Sequence, residues 1–290
     1  MEIFLEYSLL GIAAGGVYAL VALGFVVIFK ASRTFKFAMG EMMMVSAYIY
    51  YVCVVLLKTD FAIGALAALA GSMLIALAME RFVLRPMIGR PVITVVMVTF
   101  GMASVMRGVV NLGFGAADRV VPSFLPRTPV MIGDMLLPGR TVRACVIAIA
   151  IVAALIVYFR YSRHGVALRA VAADQVTAYS MGIDVRRVIA SAWMIAAVTG
   201  TFSGIMMATL NALTPHLGLV ALNVLAVVIL GGLDSIGGVL LAGFTIGWLE
   251  SVTGLLFGTL WRDVTPYAAA LVILLIKPTG LFGSREIERI

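Results

Sequence analysis

Charge is what this sequence has least of. Only 12% of its 290 residues are Asp, Glu, Lys or Arg, against 63% hydrophobic residues and a mean hydropathy of +1.12. A soluble domain carries about 25% charged residues, so half that proportion cannot clothe a water-facing surface, and a soluble fold of one or two domains is excluded. Histidine and cysteine are almost as scarce, with two of each. His164 and His216 have no Cys or acidic neighbours at ligand spacing. Cys53 and Cys145 lie far apart in apolar runs, which suggests neither a metal site nor a disulfide framework. The motifs G-x-x-x-x-G-K-[ST], H-E-x-x-H and G-x-S-x-G are missing, so the chain is expected to hold no nucleotide and to be no enzyme. The net charge of +7 comes without a basic block interleaved with aromatics, and nucleic acid is not an expected partner.

What is abundant is uninterrupted hydrocarbon. Runs able to cross a bilayer lie at about 8–29, 41–57, 61–79, 92–113, 144–159, 188–210, 218–233, 237–257 and 266–276. A span needs about 20 residues, so several are short, and 218–233 reads as either a re-entrant segment or a full crossing. The runs do not alternate, which argues against a β-barrel. The opening MEIFLEYSLL has Glu2 and Glu6 and no basic stretch, so the first run is expected to be a membrane helix rather than a cleaved signal. The expected fold is therefore all-α: one polytopic membrane domain over 1–290, with eight or nine transmembrane or re-entrant helices.

Orientation follows from Lys and Arg in the connecting loops. If 30–40, 80–91, 160–187 and the C-terminus share the cytoplasmic side, that side holds 14 of the 21 basic residues. Lys58, Arg119, Arg127, Arg140, Arg143 and Arg262 fall opposite, and Arg107 lies within a span. The bias puts the N-terminus outside and the C-terminus inside, which requires nine crossings.

One polar stretch then needs a reason: RYSRHGVALRAVAADQVTAYSMGIDVRR, residues 160–187. Val166 to Ser180 contains neither Pro nor Gly and predicts one helix of about four turns. Gly182 is placed to end it in left-handed geometry, and Asp184 to cap the next helix. A helix resting on anionic headgroups through Arg163 and Arg169 and a knob docked against a protein partner are both compatible with this pattern. Ala170, Ala172 and Ala173 around Asp174 suit close packing against protein better than insertion into lipid.

The segment Gly165-Val-Ala-Leu-Arg-Ala-Val-Ala-Ala-Asp174, with Met181-Gly-Ile-Asp184 and Arg187-Val-Ile-Ala190, closely resembles a loop in permeases of the branched-chain amino-acid family of ABC importers. Tyr18-Ala-Leu-Val-Ala-Leu-Gly24 with Phe37-Ala-Met-Gly-Glu41 resembles that family's N-terminal signature. Gly231-Gly-Leu-Asp-Ser-Ile-Gly-Gly238 running to Glu250, and Lys277-Pro-Thr-Gly-Leu-Phe-Gly283, are similar to its C-terminal ones. The resemblance, to the shorter of the family's two permease types, spans residues 8 to 285. It implies an ATP-driven importer subunit of the bacterial inner membrane that works by alternating access. The implied partners are cytoplasmic ATPase subunits carrying ATP and Mg, a second related permease, an extracytoplasmic substrate-binding protein and the surrounding lipid. It implies a branched-chain amino acid or a related small polar solute as cargo. It also implies that Arg163, Gly165, Arg169, Ala172, Ala173, Asp174, Gly182 and Asp184 form the loop that couples to the ATPase. The competing class is an ATP-independent secondary transporter or channel, which predicts ion-coupling acids within the spans.

Two charges sit deep in apolar runs, where each costs about 2.5–3.5 kcal/mol. Arg107 and Glu250 lie at about 22 and 20 Å from the inner face by helical rise, in the outer half of the membrane. They are candidates for an ion pair. Arg107 is equally placed to meet a substrate carboxylate or to snorkel outward, and it stands where the family usually has an uncharged polar residue. Met39 departs from the family's usual His, and Glu41 is expected at headgroup level beside Lys36. Gly11-x-x-x-Gly15 and Gly243-x-x-x-Gly247 are expected to let helices approach closely. Gly231, Gly232, Gly237 and Gly238 are expected to permit a tight break around Asp234-Ser235.

Overall fold

The computed structural model describes residues 2–32, 37–87, 90–126, 128–132 and 135–283. It is helical almost throughout. Helices α1 (Glu2–Ser32), α2 (Ala38–Tyr51), α3 (Phe61–Ala78), α4 (Val92–Phe114), α5 (Gly139–Tyr161), α6 (Arg163–Ala173), α7 (Gln175–Ser180), α8 (Val185–Leu210), α9 (Val220–Gly231), α10 (Ile236–Phe257) and α11 (Thr259–Ile276) follow in order. A small antiparallel hairpin, β1 (Val130–Ile132) with β2 (Met135–Leu137), pairs Val130 with Leu137.

Among the described residues, eight helices are long and apolar enough to cross a membrane. The chain is an all-α, multi-pass membrane protein. The segment left open as re-entrant is a 3-10 turn followed by the 12-residue α9. At 1.5 Å per residue α9 is about 18 Å long, well short of the roughly 30 Å hydrocarbon core. Two spans run further than the apolar runs suggested. The α3 span continues through a π-helical turn to Met87, where Arg85 reaches back to both oxygens of Glu80 at 3.2–3.3 Å. Helix α11 begins at Thr259, although the run starts only at Pro266. Hydropathy misses its first two turns because they carry Arg262 and Asp263.

The chain forms two compact units. The first comprises Met1–Val26, Leu125–Val152 and Leu222–Ile290. Here the two glycine pairs meet. A Cβ on Gly11 or Gly15 would overlap the backbone of Gly247 or Gly243, so α1 and α10 touch backbone to backbone. Gly232, at φ +100°, lets the chain turn between α9 and α10, and Ser235 caps α10 by accepting from the Gly238 N–H at 3.0 Å. The C-terminal segment returns to this turn, with the Leu281 N–H donating to Leu230 O at 2.9 Å.

The second unit comprises Val27–Phe124 and Ala153–Ala221. Helix α2 is its axis, buried along nearly its whole length and packed by α3, α4 and α8. On α8, Gly204 abuts the Met43 backbone and Gly200 faces Met39. The methionines of α2 thus serve as adaptable packing against a glycine-lined neighbour. Ser72 of α3 and Thr201 of α8 hydrogen-bond at 2.6 Å.

Gly15→Ala is expected to destabilise the purified protein by about 2 kcal/mol through overpacking, read as a lower Tm in detergent. Gly101→Ala, whose Cβ meets nothing within 4 Å, is expected to leave Tm unchanged or slightly raised.

Candidate functional site

The polar stretch becomes a braced knob within the second unit. Ser162 starts α6 by accepting from the Gly165 N–H at 2.9 Å. Gly165 lies directly on the Phe159 backbone, where a side chain would collide. The Arg169 guanidinium donates to Phe159 O, tying α6 back to the end of α5. Leu168, Val171 and Ala172 are buried beneath the knob, while Arg163, Arg169, Ala173, Asp174, Gly182 and Asp184 are exposed.

The single helix expected over 166–180 is broken in two at Asp174. Its backbone is extended (φ −157°, ψ 118°), and its Oδ1 accepts the Thr177 N–H at 2.6 Å. That N–H would bond to Ala173 O in a continuous helix, so the short acid outcompetes the backbone for its own neighbour. The same Thr177 N–H holds the Asp174 carboxyl below its ordinary pKa. Asp174 thus ends α6 and caps α7. Its carboxylate form is favoured by folding, and that contribution is lost as pH falls through the lowered pKa.

The far end of the knob closes as expected. The Ile183 N–H reaches Ala178 O and the Gly182 N–H reaches Tyr179 O, with Gly182 at φ +81°. This paired pattern at a left-handed residue is a Schellman cap. Asp184 then caps α8, accepting from the Arg187 N–H at 3.1 Å. Gln175 donates to Ala31 O at 3.3 Å and anchors the knob to the end of α1. Its outer surface is unexpectedly apolar: Val176, Tyr179 and Met181 are each more than 70% exposed.

The buried charges are arranged differently from the candidate pair. Arg107 of α4 donates through Nε (3.1 Å) and Nη2 to Oε1 of Glu41. Glu41 is 2% exposed inside α2; Lys36, expected beside it, lies outside the described residues. Gly218 makes room for the carboxylate, since a Cβ there would strike it. The second oxygen, Oε2, has no hydrogen-bond partner, and about a third of the Arg107 side chain remains accessible. Glu250 instead receives the Tyr18 hydroxyl at 2.8 Å, with Arg262 Nε 3.9 Å away. Tyr18 and Glu41 were visible only as parts of a signature, and Arg262 as a loop charge. Nothing in linear spacing signals that α4 brings Arg107 to the first turn of α2.

The chain matches the family model described as branched-chain amino acid transport system / permease component over residues 8–276. It belongs to that family of permeases. Full-length relatives agree with the shorter permease type. The high-affinity branched-chain amino acid transport system permease protein LivH of Escherichia coli is 28% identical over 99% of this chain and 98% of its own length. BraD of Pseudomonas aeruginosa, described in the same words, is 27% identical over the same shares. The probable branched-chain amino acid transport permease protein LivH of Methanocaldococcus jannaschii is 25% identical over 91% of this chain and 88% of its own. This permease is thus a transport protein whose relatives are transport components rather than enzymes.

Removing one partner of a buried pair leaves the other uncompensated. Arg107→Ala is expected to cost about 3 kcal/mol, measured as a fall in Tm of the purified permease. Arg107→Gln combined with Glu41→Gln is expected to recover most of that loss, because no charge is then stranded.

Proposed function

We propose that this permease is one membrane-spanning subunit of an ATP-driven importer in the bacterial inner membrane, with the knob on its cytoplasmic side. Cytoplasmic ATPase subunits, binding ATP and Mg, supply the energy. A second related permease completes the path, and an extracytoplasmic binding protein delivers a branched-chain amino acid or a related small polar solute. The observation that carries this reading is the braced knob at 160–187. A headgroup-bound helix would turn its apolar residues toward its own anchoring face. Here Leu168 and Val171 secure the knob from beneath, while Val176, Tyr179 and Met181 stand exposed at its tip. A rigid tip with an apolar surface suits a protein cleft.

In this reading, closure of the ATPase pair displaces the knob, and α8, which follows directly from the Asp184 cap, carries that displacement into the bundle. The helices rock so that the path alternates between the two sides. Arg107 is the candidate contact for a solute carboxylate, because the N–H groups not committed to Glu41 can donate to one in a charge-assisted hydrogen bond. Glu41 holds the guanidinium in place for it. The alternative of ion-driven transport draws on one observation, the unpartnered Oε1 of buried Glu250. It assigns no role to the knob.

Co-purification from membranes tests the proposal. The native chain is expected to bring down an ATPase subunit, and Asp174→Arg with Gly182→Trp to lose at least 90% of it at equal membrane insertion. Asp174→Asn, which keeps an acceptor for the Thr177 N–H, is expected to retain it. Capture of no ATPase by the inserted native chain would overturn the ATP-driven reading.

A further inference from the structure

The second unit contains a cavity of about 1120 Å³ beside the knob. It opens between the end of the α3 span, the start of α4, residues 175–185 of the knob and the first turns of α8. Three arginines line it, Arg85, Arg90 and Arg186, together with the acids Glu80 and Asp184. The acids are already engaged. Glu80 is held through both oxygens by Arg85, and Asp184 caps α8 and meets Arg187 Nε at 3.0 Å. Among the described residues no carboxylate pairs with Arg90 or Arg186.

Trp193 lies about 12 Å along α8 by helical rise and forms part of the same wall. It is 1% exposed, and its indole N–H has no acceptor. The charged groups here without a carboxylate partner are therefore the two guanidiniums of Arg90 and Arg186, while the buried indole N–H is closed off from the cavity and serves as a neighbouring reporter. Positive charge exceeds negative, and the N-terminus of the 26-residue α8 adds its own positive end. Such a site calls for a ligand rich in acceptors and negatively charged. A planar carboxylate is satisfied by one guanidinium fork. Cations from the α3 end, the α4 approach and the α8 start suit a tetrahedral oxyanion, which presents several oxygens at once.

We propose that this cavity binds a phosphate-bearing anion, either a soluble phosphate compound or a phospholipid headgroup. The volume suffices for a small organic phosphate. Because one wall is the knob and another is the end of α3, the bound anion ties the two together. Its further consequence, a restraint on transport, rests on the coupling role proposed for the knob. Binding itself does not, and it is measured without any ATPase.

The chain has three tryptophans, so Trp248→Phe with Trp261→Phe leaves Trp193 as the sole reporter in the full-length protein. Inorganic pyrophosphate, titrated in detergent against chloride at matched ionic strength, is expected to give a saturable change in Trp193 emission. Arg90→Gln with Arg186→Gln is expected to raise its midpoint at least tenfold. For the headgroup source, the change appears only in phosphatidylglycerol vesicles and not in phosphatidylcholine, with the same dependence on the two arginines. If the reporter chain is not monodisperse, the Tm of the native chain with and without pyrophosphate is the readout. A rise that the double arginine variant abolishes supports the site. No response to either probe, a response that both arginine substitutions leave intact, or a response only to added ATPase overturns the proposal.

Discussion

Hydrocarbon offers no hydrogen-bond partner, and every other feature of this permease answers to that constraint. Within a bilayer each backbone N–H and C=O must be satisfied inside the chain. The apolar runs therefore become helices, and departures from helical geometry are made good locally. The chain turns at Gly232 with Ser235 capping the helix that follows. Serine and threonine hydroxyls inside the bundle return to their own helices, as Thr199 does to Ala196 O and Thr209 to Met206 O.

The same lack of water governs the charges. Neither Glu41 nor Glu250 is left isolated, but neither is fully satisfied. Each has one engaged oxygen and one without a partner. A purely structural pair gains by pairing both oxygens, as Glu80 does with Arg85 at the polar edge. The half-satisfied acids differ from that arrangement, and they lie where helices of each unit meet at closest range: Glu41 against Gly218, and Glu250 one helical turn beyond the α1–α10 glycine contact. Close backbone approach and buried charge are thus linked, because only glycine leaves room for a carboxylate beside a neighbouring chain.

The knob shows how a polar connection becomes a rigid element. Its stiffness comes from caps rather than length, since α6 and α7 have 11 and 6 residues, too few to be stable alone in water. Ser162, Asp174 and Asp184 each satisfy a helix start, Gly182 closes a helix end, and Arg169 and Gln175 tie the assembly to α5 and α1. The knob is thus joined directly to α8 through the Asp184 cap.

Much of this was legible in the chain itself. Composition alone required a membrane protein, and unbroken apolar runs required helices, because both follow from averages over many residues. Gly182 and Asp184 were readable because capping depends on a residue and its immediate neighbours. The glycine pairs were readable as close contacts, though not which helices they joined. The break at Asp174 was missed because propensity favours a continuous helix there and a single side-chain hydrogen bond reversed it. The early start of α11 was missed because Arg262 and Asp263 look like loop residues until one of them faces a buried acid. The partners of Arg107 and Glu250 lay beyond any linear reading. Residues 41 and 107 lie on α2 and α4 with α3 between them in the chain, and only the packing of α4 on α2 brings them within hydrogen-bond distance. Sequence thus determined the class of the protein and its local caps, which depend on composition and near neighbours. Tertiary structure decided which charge met which, because in a medium without water a buried charge takes whatever partner the helix packing delivers.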